Sequence, residues 1–162
     1  MGANLPAETV RGAVATLSGD GSAERRAEEI LLRPLFDLTG DRHDGNLISA
    51  IDEARRSLEP AGGQEAAKMV DLVAETFDVP PPQDRRLEVY CRILGELPVD
   101  LLHAATKRVL QSHRYKSLPL PNDWLRQVEP DLTRRKNRLA RLETAQKKLD
   151  MARRFYPRNF SA

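Results

Sequence analysis

The chain contains one cysteine, Cys91, among 162 residues. A single thiol cannot build an internal disulfide framework, and it fits a reducing compartment. No apolar run approaches the roughly 18–20 residues that a membrane span needs. The opening MGANLPAETVRG has neither a basic n-region nor an apolar h-region, so no signal peptide is expected. A soluble, cytoplasmic protein without membrane contact is the expectation. Aromatic residues make up only 5% of the chain, so packing has to rest on Leu, Val, Ile and Ala. Sustained period-two alternation and clusters of β-branched residues are also missing, which argues against a sheet.

Catalytic constellations are equally sparse. The glycines are scattered, and none precedes Lys-Ser or Lys-Thr at the spacing of a phosphate-cradling loop. His103 and His113 are too far apart to form a tight i,i+4 ligand pair, and with His43 and Cys91 they cannot make a structural zinc site. The best metal-like cluster is Asp37, Asp41, His43 and Asp44 in DLTGDRHDGN. Counted as a calcium loop from Asp41, its third position is His43 and its twelfth is Asp52, where such a loop needs an oxygen ligand and a Glu. It reads as a solvated Asp/Gly turn. Cys91 falls on the apolar face of a helical pattern and reads as a structural thiol. No enzyme, cofactor or metal is expected.

What the chain does have is helical periodicity. A 40% hydrophobic fraction argues against disorder. Pro6 opens a pattern with Val10, Val14 and Leu17 on one face, closed by Gly19-Asp20-Gly21. Ser22 is a candidate cap for AERRAEEILL. NLISAIDEARRSLEP and QEAAKMVDLVAETF follow, separated by Gly62-Gly63. After Pro80-Pro81-Pro82, Asp84 is placed to cap DRRLEVYCRILGEL, and Pro98 to open PVDLLHAATKRVLQSH. Asn122 or Asp123 would then cap a short helix holding Trp124, Leu125 and Val128. A long helix starts near Pro130 and ends at Pro157. The expected fold is all-α, a bundle of six or seven helices with the long basic C-terminal helix able to project from it. The expected regions are 1–79 (acidic), 84–130 (helical core) and 131–157 (basic helix), within one domain or as separate units.

Charge is divided unevenly along this string. Residues 1–84 carry 8 basic and 16 acidic side chains, whereas residues 85–162 carry 18 basic and 8 acidic. Either two functional surfaces or two mutually attracting halves would follow. Leu132, Leu139, Leu142, Ala145, Leu149, Ala152 and Tyr156 form a thin seam on the last helix, suited to one partner face. Arg134, Arg135, Lys136, Arg138, Arg141, Lys147, Lys148, Arg153 and Arg154 cover the rest and are the candidates for binding nucleic acid or a protein partner. Trp124 is a candidate core anchor or interface hot spot, and Tyr115 a second interface candidate.

The segment RLEVYCRILGELPVDLLHAATKRVLQSHRYKSLPLPNDWLRQVEP, residues 86–130, resembles small helical phage and prophage proteins that load or inhibit the replicative DNA helicase. The resemblance is carried by Tyr90 in a first helix and by Leu97-Pro98 opening a second. Arg114-Tyr115 in the turn and the stretch from Pro119 to Pro121 complete it. It implies a compact helical body and a separate C-terminal segment that meets the helicase, which here would fall on residues 131–155. The resulting expectation is a non-enzymatic, phage-derived adaptor of a replication complex. The alternatives are a DNA-binding packaging or regulatory protein of a phage or gene-transfer particle, and an inhibitor of a host defence nuclease whose acidic half imitates DNA.

Overall fold

The computed structural model describes residues 21–38, 45–114 and 116–156. The pattern from Pro6 to Leu17, most of the DLTGDRHDGN stretch, Tyr115 and Pro157 lie outside the described residues. Six α-helices account for most of the rest: α1 (Ser22–Leu32), α2 (Gly45–Arg56), α3 (Gly63–Thr76), α4 (Asp84–Leu94), α5 (Val99–Ser112) and α6 (Pro121–Phe155). A 3-10 turn at Leu35–Leu38 follows α1. No strand occurs among the described residues, and none of the helices is long and apolar enough to cross a membrane.

Local chemistry explains the helix ends. The chain enters α6 through Leu120, with Pro121 at the first helical position, where a missing N–H costs nothing. The Leu120 N–H donates to Asp123 Oδ2 at 2.8 Å, so Asp123 caps from inside the first turn. Pro98 immediately precedes α5, and its carbonyl accepts from the Leu102 N–H at 2.8 Å. Gly21, rather than Ser22, takes the position before α1, in the left-handed region at φ 66°. At the end of α3, Asp78 adopts φ 53°. The Asp78 N–H reaches the Glu75 carbonyl and the Val79 N–H the Ala74 carbonyl, the double bond pattern of a Schellman stop.

Two apolar cores share one helix. The first gathers Ala66, Val70 and Val73 of α3, Tyr90 and Leu94 of α4, Leu97, Leu101, Leu102, Ala105 and Val109, and Trp124 and Val128 of α6. The second gathers Ala27 and Ile30 of α1, Leu38, Leu47, Ala50, Ile51 and Ala54 of α2, and Leu142, Ala145, Leu149 and Ala152 of α6. Although α3 precedes the triple-proline segment, it packs with α4 and α5 beyond that segment. The cores therefore do not divide where the prolines and the charge reversal fall.

The long helix differs from its expected form in two respects. It runs unbroken from Pro121 to Phe155, with Pro130 inside it. Proline there forfeits the bond to the Arg126 carbonyl and crowds that turn. Burial of Trp124 and Val128 on one side and of Leu142 to Ala152 on the other holds the helix continuous across it. Nor does the helix project: its seam is filled by α1 and α2 of the same chain rather than by a separate coiled-coil partner.

The link between α2 and α3 is pinned to the turn between α4 and α5. Pro60 and Pro98 form an isolated antiparallel bridge. The Ala61 N–H donates to the Leu97 carbonyl at 2.8 Å and the Gly62 N–H to the Gly95 carbonyl at 2.9 Å. Gly62 needs its φ of 84°, and a Cβ on Gly95 would stand 2.9 Å from the Gly62 carbonyl carbon.

Candidate docking face of the long helix

Four of the nine candidate cations on α6 are committed to other parts of the molecule. Arg135 Nη1 donates to the Ser57 carbonyl at 2.7 Å and to Asp100 Oδ1 at 3.0 Å, and its other arm meets the second Asp100 oxygen. Arg138, only 16% exposed, pairs with Glu24 of α1 and stands 3.5 Å from Glu53 of α2. Arg141 lies 3.7 Å from Glu28. Lys148 Nζ donates to the carbonyls of Leu31 and Arg33, the second-last residue of α1 and the first one beyond it. In the reverse sense Glu143 of α6 accepts from Arg55 of α2 at 3.1 and 2.8 Å. At Arg138 and Arg141 the acidic half neutralises the basic one, through Glu24, Glu53 and Glu28.

The remaining candidates face solvent or their own helix. Arg134 is 79% exposed and 3.5 Å from Asp131, and Arg153 is 3.4 Å from Asp150. Lys136, Lys147 and Arg154 are exposed and carry no ion pair among the described residues. Exposed pairs of this kind contribute about 0–1 kcal/mol each.

Trp124 is fully buried, so its anchoring role is internal and it is not an interface residue. Its indole N–H donates to Thr106 Oγ1 at 3.1 Å, and its ring meets Tyr90 edge-on at 6.1 Å. The Tyr90 hydroxyl donates to the Pro119 carbonyl at 2.8 Å, which ties the 113–120 loop to the first core. The segment PLPNDW is therefore a clamp between loop and core.

The other titratable groups read as structural. Burial and the nearby Asp71 carboxylate push the half-buried Cys91 thiol up, away from a reactive thiolate. His103 Nε2 lies 2.8 Å from Glu65 Oε1, and that contact, with Lys68, holds the Glu65 carboxyl below its ordinary range. His113 Nε2 lies 2.9 Å from the Ser117 carbonyl, with its ring edge-on to Phe77. Among the described residues no three His, Cys, Asp or Glu side chains converge on a metal position. His43 lies outside them.

On the side of α6 that faces α4, the surface is built differently. A depression of about 400 Å³ is lined by Leu58, Arg92, Ile93, Glu96, Leu97, Leu125, Leu132 and Lys136. A second, of about 320 Å³, is lined by Asn122, Leu125, Arg126, Glu129 and Leu132. Leu125 and Leu132 border both, so the two adjoin as one groove along α6, walled by α4 over the larger depression. Its floor is apolar, with Leu58, Ile93, Leu125 and Leu132 each half-buried. Its rim carries Arg92, Arg126, Lys136, Glu96 and Glu129, all exposed and none ion-paired among the described residues. A wider cleft of about 720 Å³ lies between Arg56–Pro60 and the start of α5, lined by Val99, His103, Ala104 and Lys107 among others.

The sequence offered little signal for this groove. Ile93 stands off the main stripe of α4, which is formed by Leu87, Tyr90, Cys91 and Leu94, while Leu132 belongs to a seam whose members from Leu139 to Ala152 face α1 and α2. Comparison with protein-family models, with curated proteins and with solved structures found nothing that matches this chain.

Proposed function

We propose that the protein is a non-enzymatic, phage-derived adaptor that docks on a replication complex and holds the replicative DNA helicase in a loadable or blocked state. The observation that carries the docking reading is the contrast between two faces of α6. Toward α1, α2 and α5 its charges are paired within the molecule, whereas toward α4 it offers an apolar floor with an unpaired ionic rim. Such a surface binds another protein by burying apolar area at its centre while polar groups at the edge set orientation. The helicase assignment comes from the resemblance over residues 86–130. That segment supplies Arg92, Ile93, Glu96, Leu97, Leu125, Arg126 and Glu129 to the groove.

Affinity capture of the tagged chain from host lysate, with and without nuclease, tests this reading. Recovery of the replicative helicase after nuclease treatment, and a change in helicase ATP turnover on adding the pure protein, are the expected results. Absence of the helicase, with co-purifying proteins lost to nuclease, overturns the reading.

A second reading, a DNA-binding packaging or regulatory protein, is favoured by the exposure of Arg134, Lys136, Lys147 and Arg154 along one helix. It predicts duplex binding whose affinity falls steeply with salt, by close to one logarithmic unit of slope per neutralised phosphate.

A further inference from the structure

We propose that the occupant of the α4–α6 groove is an amphipathic helix of a partner protein, with acidic side chains flanking its apolar ridge. This inference rests on the docking reading above and adds the chemistry of the partner. Three features of the groove point to it.

Length and shape come first. Leu125 and Leu132 are two turns apart on α6, about 10 Å along the axis. An apolar ridge at positions i, i+3, i+4 and i+7 of another helix has the same span. The walls are themselves helices, whose backbone groups are bonded internally. An extended segment would find no strand edge to pair with, so a helix is the form that fits.

Charge comes second. Arg92 from α4 and Lys136 from α6 line the same depression, with Glu96 the only carboxylate there. Arg126 and Glu129 balance at the other end. Over the whole rim Arg92, Arg126 and Lys136 outnumber Glu96 and Glu129 by one. The acids Glu24, Glu28 and Glu53 that offset α6 act on Arg138 and Arg141, which do not line the groove. The field at the groove mouth therefore favours an acidic partner, and like-charge repulsion disfavours a basic one.

Desolvation comes third. The floor residues are half-buried rather than fully exposed, so they are already ordered by the fold. A partner ridge covering them gains apolar burial without a large ordering cost on this side.

The test uses the full chain and two labelled peptides of about 18 residues, long enough to form a helix on binding. Both carry leucines at i, i+3, i+4 and i+7. One has glutamates on its flanks and the other lysines. Binding is followed by fluorescence anisotropy and by amide shift changes in ¹⁵N-labelled protein. The acidic peptide should bind, with shifts concentrated at Ile93, Leu125 and Leu132. The double variant Arg92→Glu, Lys136→Glu should weaken it by about tenfold or more, while Lys116→Glu, at an exposed position after α5, should not. Both substitutions are at exposed positions, and circular dichroism verifies that the fold is kept.

Failure of the acidic peptide to shift groove residues overturns the proposal. So does equal binding of the lysine peptide, or displacement of the acidic peptide by duplex DNA that needs the same two cations. If the helicase is captured equally well by the double variant, the adaptor reading stands and the acidic-helix assignment falls. If the peptide binds as expected but no helicase is captured, the reverse holds.

Discussion

The Trp124 indole donates its only hydrogen to the Thr106 hydroxyl, which in turn donates to the Leu102 carbonyl one turn back at 2.8 Å. Thr106 is the one polar residue among the described buried ones, and this relay satisfies both of its partners without water. Thr106→Val keeps the shape but leaves the buried indole N–H unpaired. A loss of about 1–3 kcal/mol is expected, seen as a melting temperature lowered by about 3–9 °C. An unchanged transition would mean that the indole finds another acceptor.

Where the link between α2 and α3 crosses the α4–α5 turn, Gly95→Ala should be more damaging than its size suggests. The added methyl meets the backbone of Gly62 and the Cys91 carbonyl, which cannot rotate away. Overpacking of this kind costs about 1–3 kcal/mol. Urea unfolding of the variant checks it, and Gly45→Ala, where a Cβ meets nothing, is the control.

The opposite sign is expected at the α3 stop. Asp78 is held in the left-handed region, which glycine enters without a steric cost. Asp78→Gly should stabilise the protein by about 0.5–1 kcal/mol, measured as a higher urea midpoint with the same slope.

How far these features could be read beforehand depends on their range in sequence. The stripes of α2 and α3, the glycines between them and Pro98 at the start of α5 act within a few residues, and each appears where local chemistry placed it. The continuity of α6 through Pro130 was not legible, because local propensity argues for a break there and only the two cores override it. The pairing of Arg138 with Glu24, separated by 114 positions, was not legible either. Charge asymmetry showed that the halves could attract, but no periodicity says which side chains meet. The groove was hidden for a related reason: half-buried leucines at the edge of a stripe look the same whether they border a core or line a docking surface.

Acidification should reveal the Asp100–Arg135 pair. Hydrogen bonding to the guanidinium holds the Asp100 carboxyl below its ordinary range. A depressed folded value contributes stability above the unfolded value, near pH 4, and loses it as pH falls through the folded value. Asp100 is about half exposed, so screening limits the contribution to roughly 0.5 kcal/mol. Asp100→Asn should therefore be slightly less stable than the parent near neutrality, and the difference should vanish in strong acid. Paired urea titrations across pH measure it.

Neutralising Glu24, Glu28 and Glu53 together to Gln should release Arg138 and Arg141 from their carboxylates. If those cations then reach phosphate, duplex affinity rises and the salt slope steepens by about one to two. Filter binding or anisotropy at several salt concentrations reads both quantities. Unchanged binding would show that the side of α6 facing α1 stays closed to DNA even without its acids.

The sharing of α6 between two cores also sets an order of assembly. The first core draws on residues 66–128, a nearly continuous stretch, and can close as soon as the chain has passed the first turns of α6. The second joins residues 27–54 to residues 142–152. During synthesis α1 and α2 are made before α3, α4 and α5, and they can pack only on each other until the far end of α6 emerges. The sides of those stripes meant for α6 wait in the open while the middle of the protein is already folded, so two helices made before the first core find their place after it.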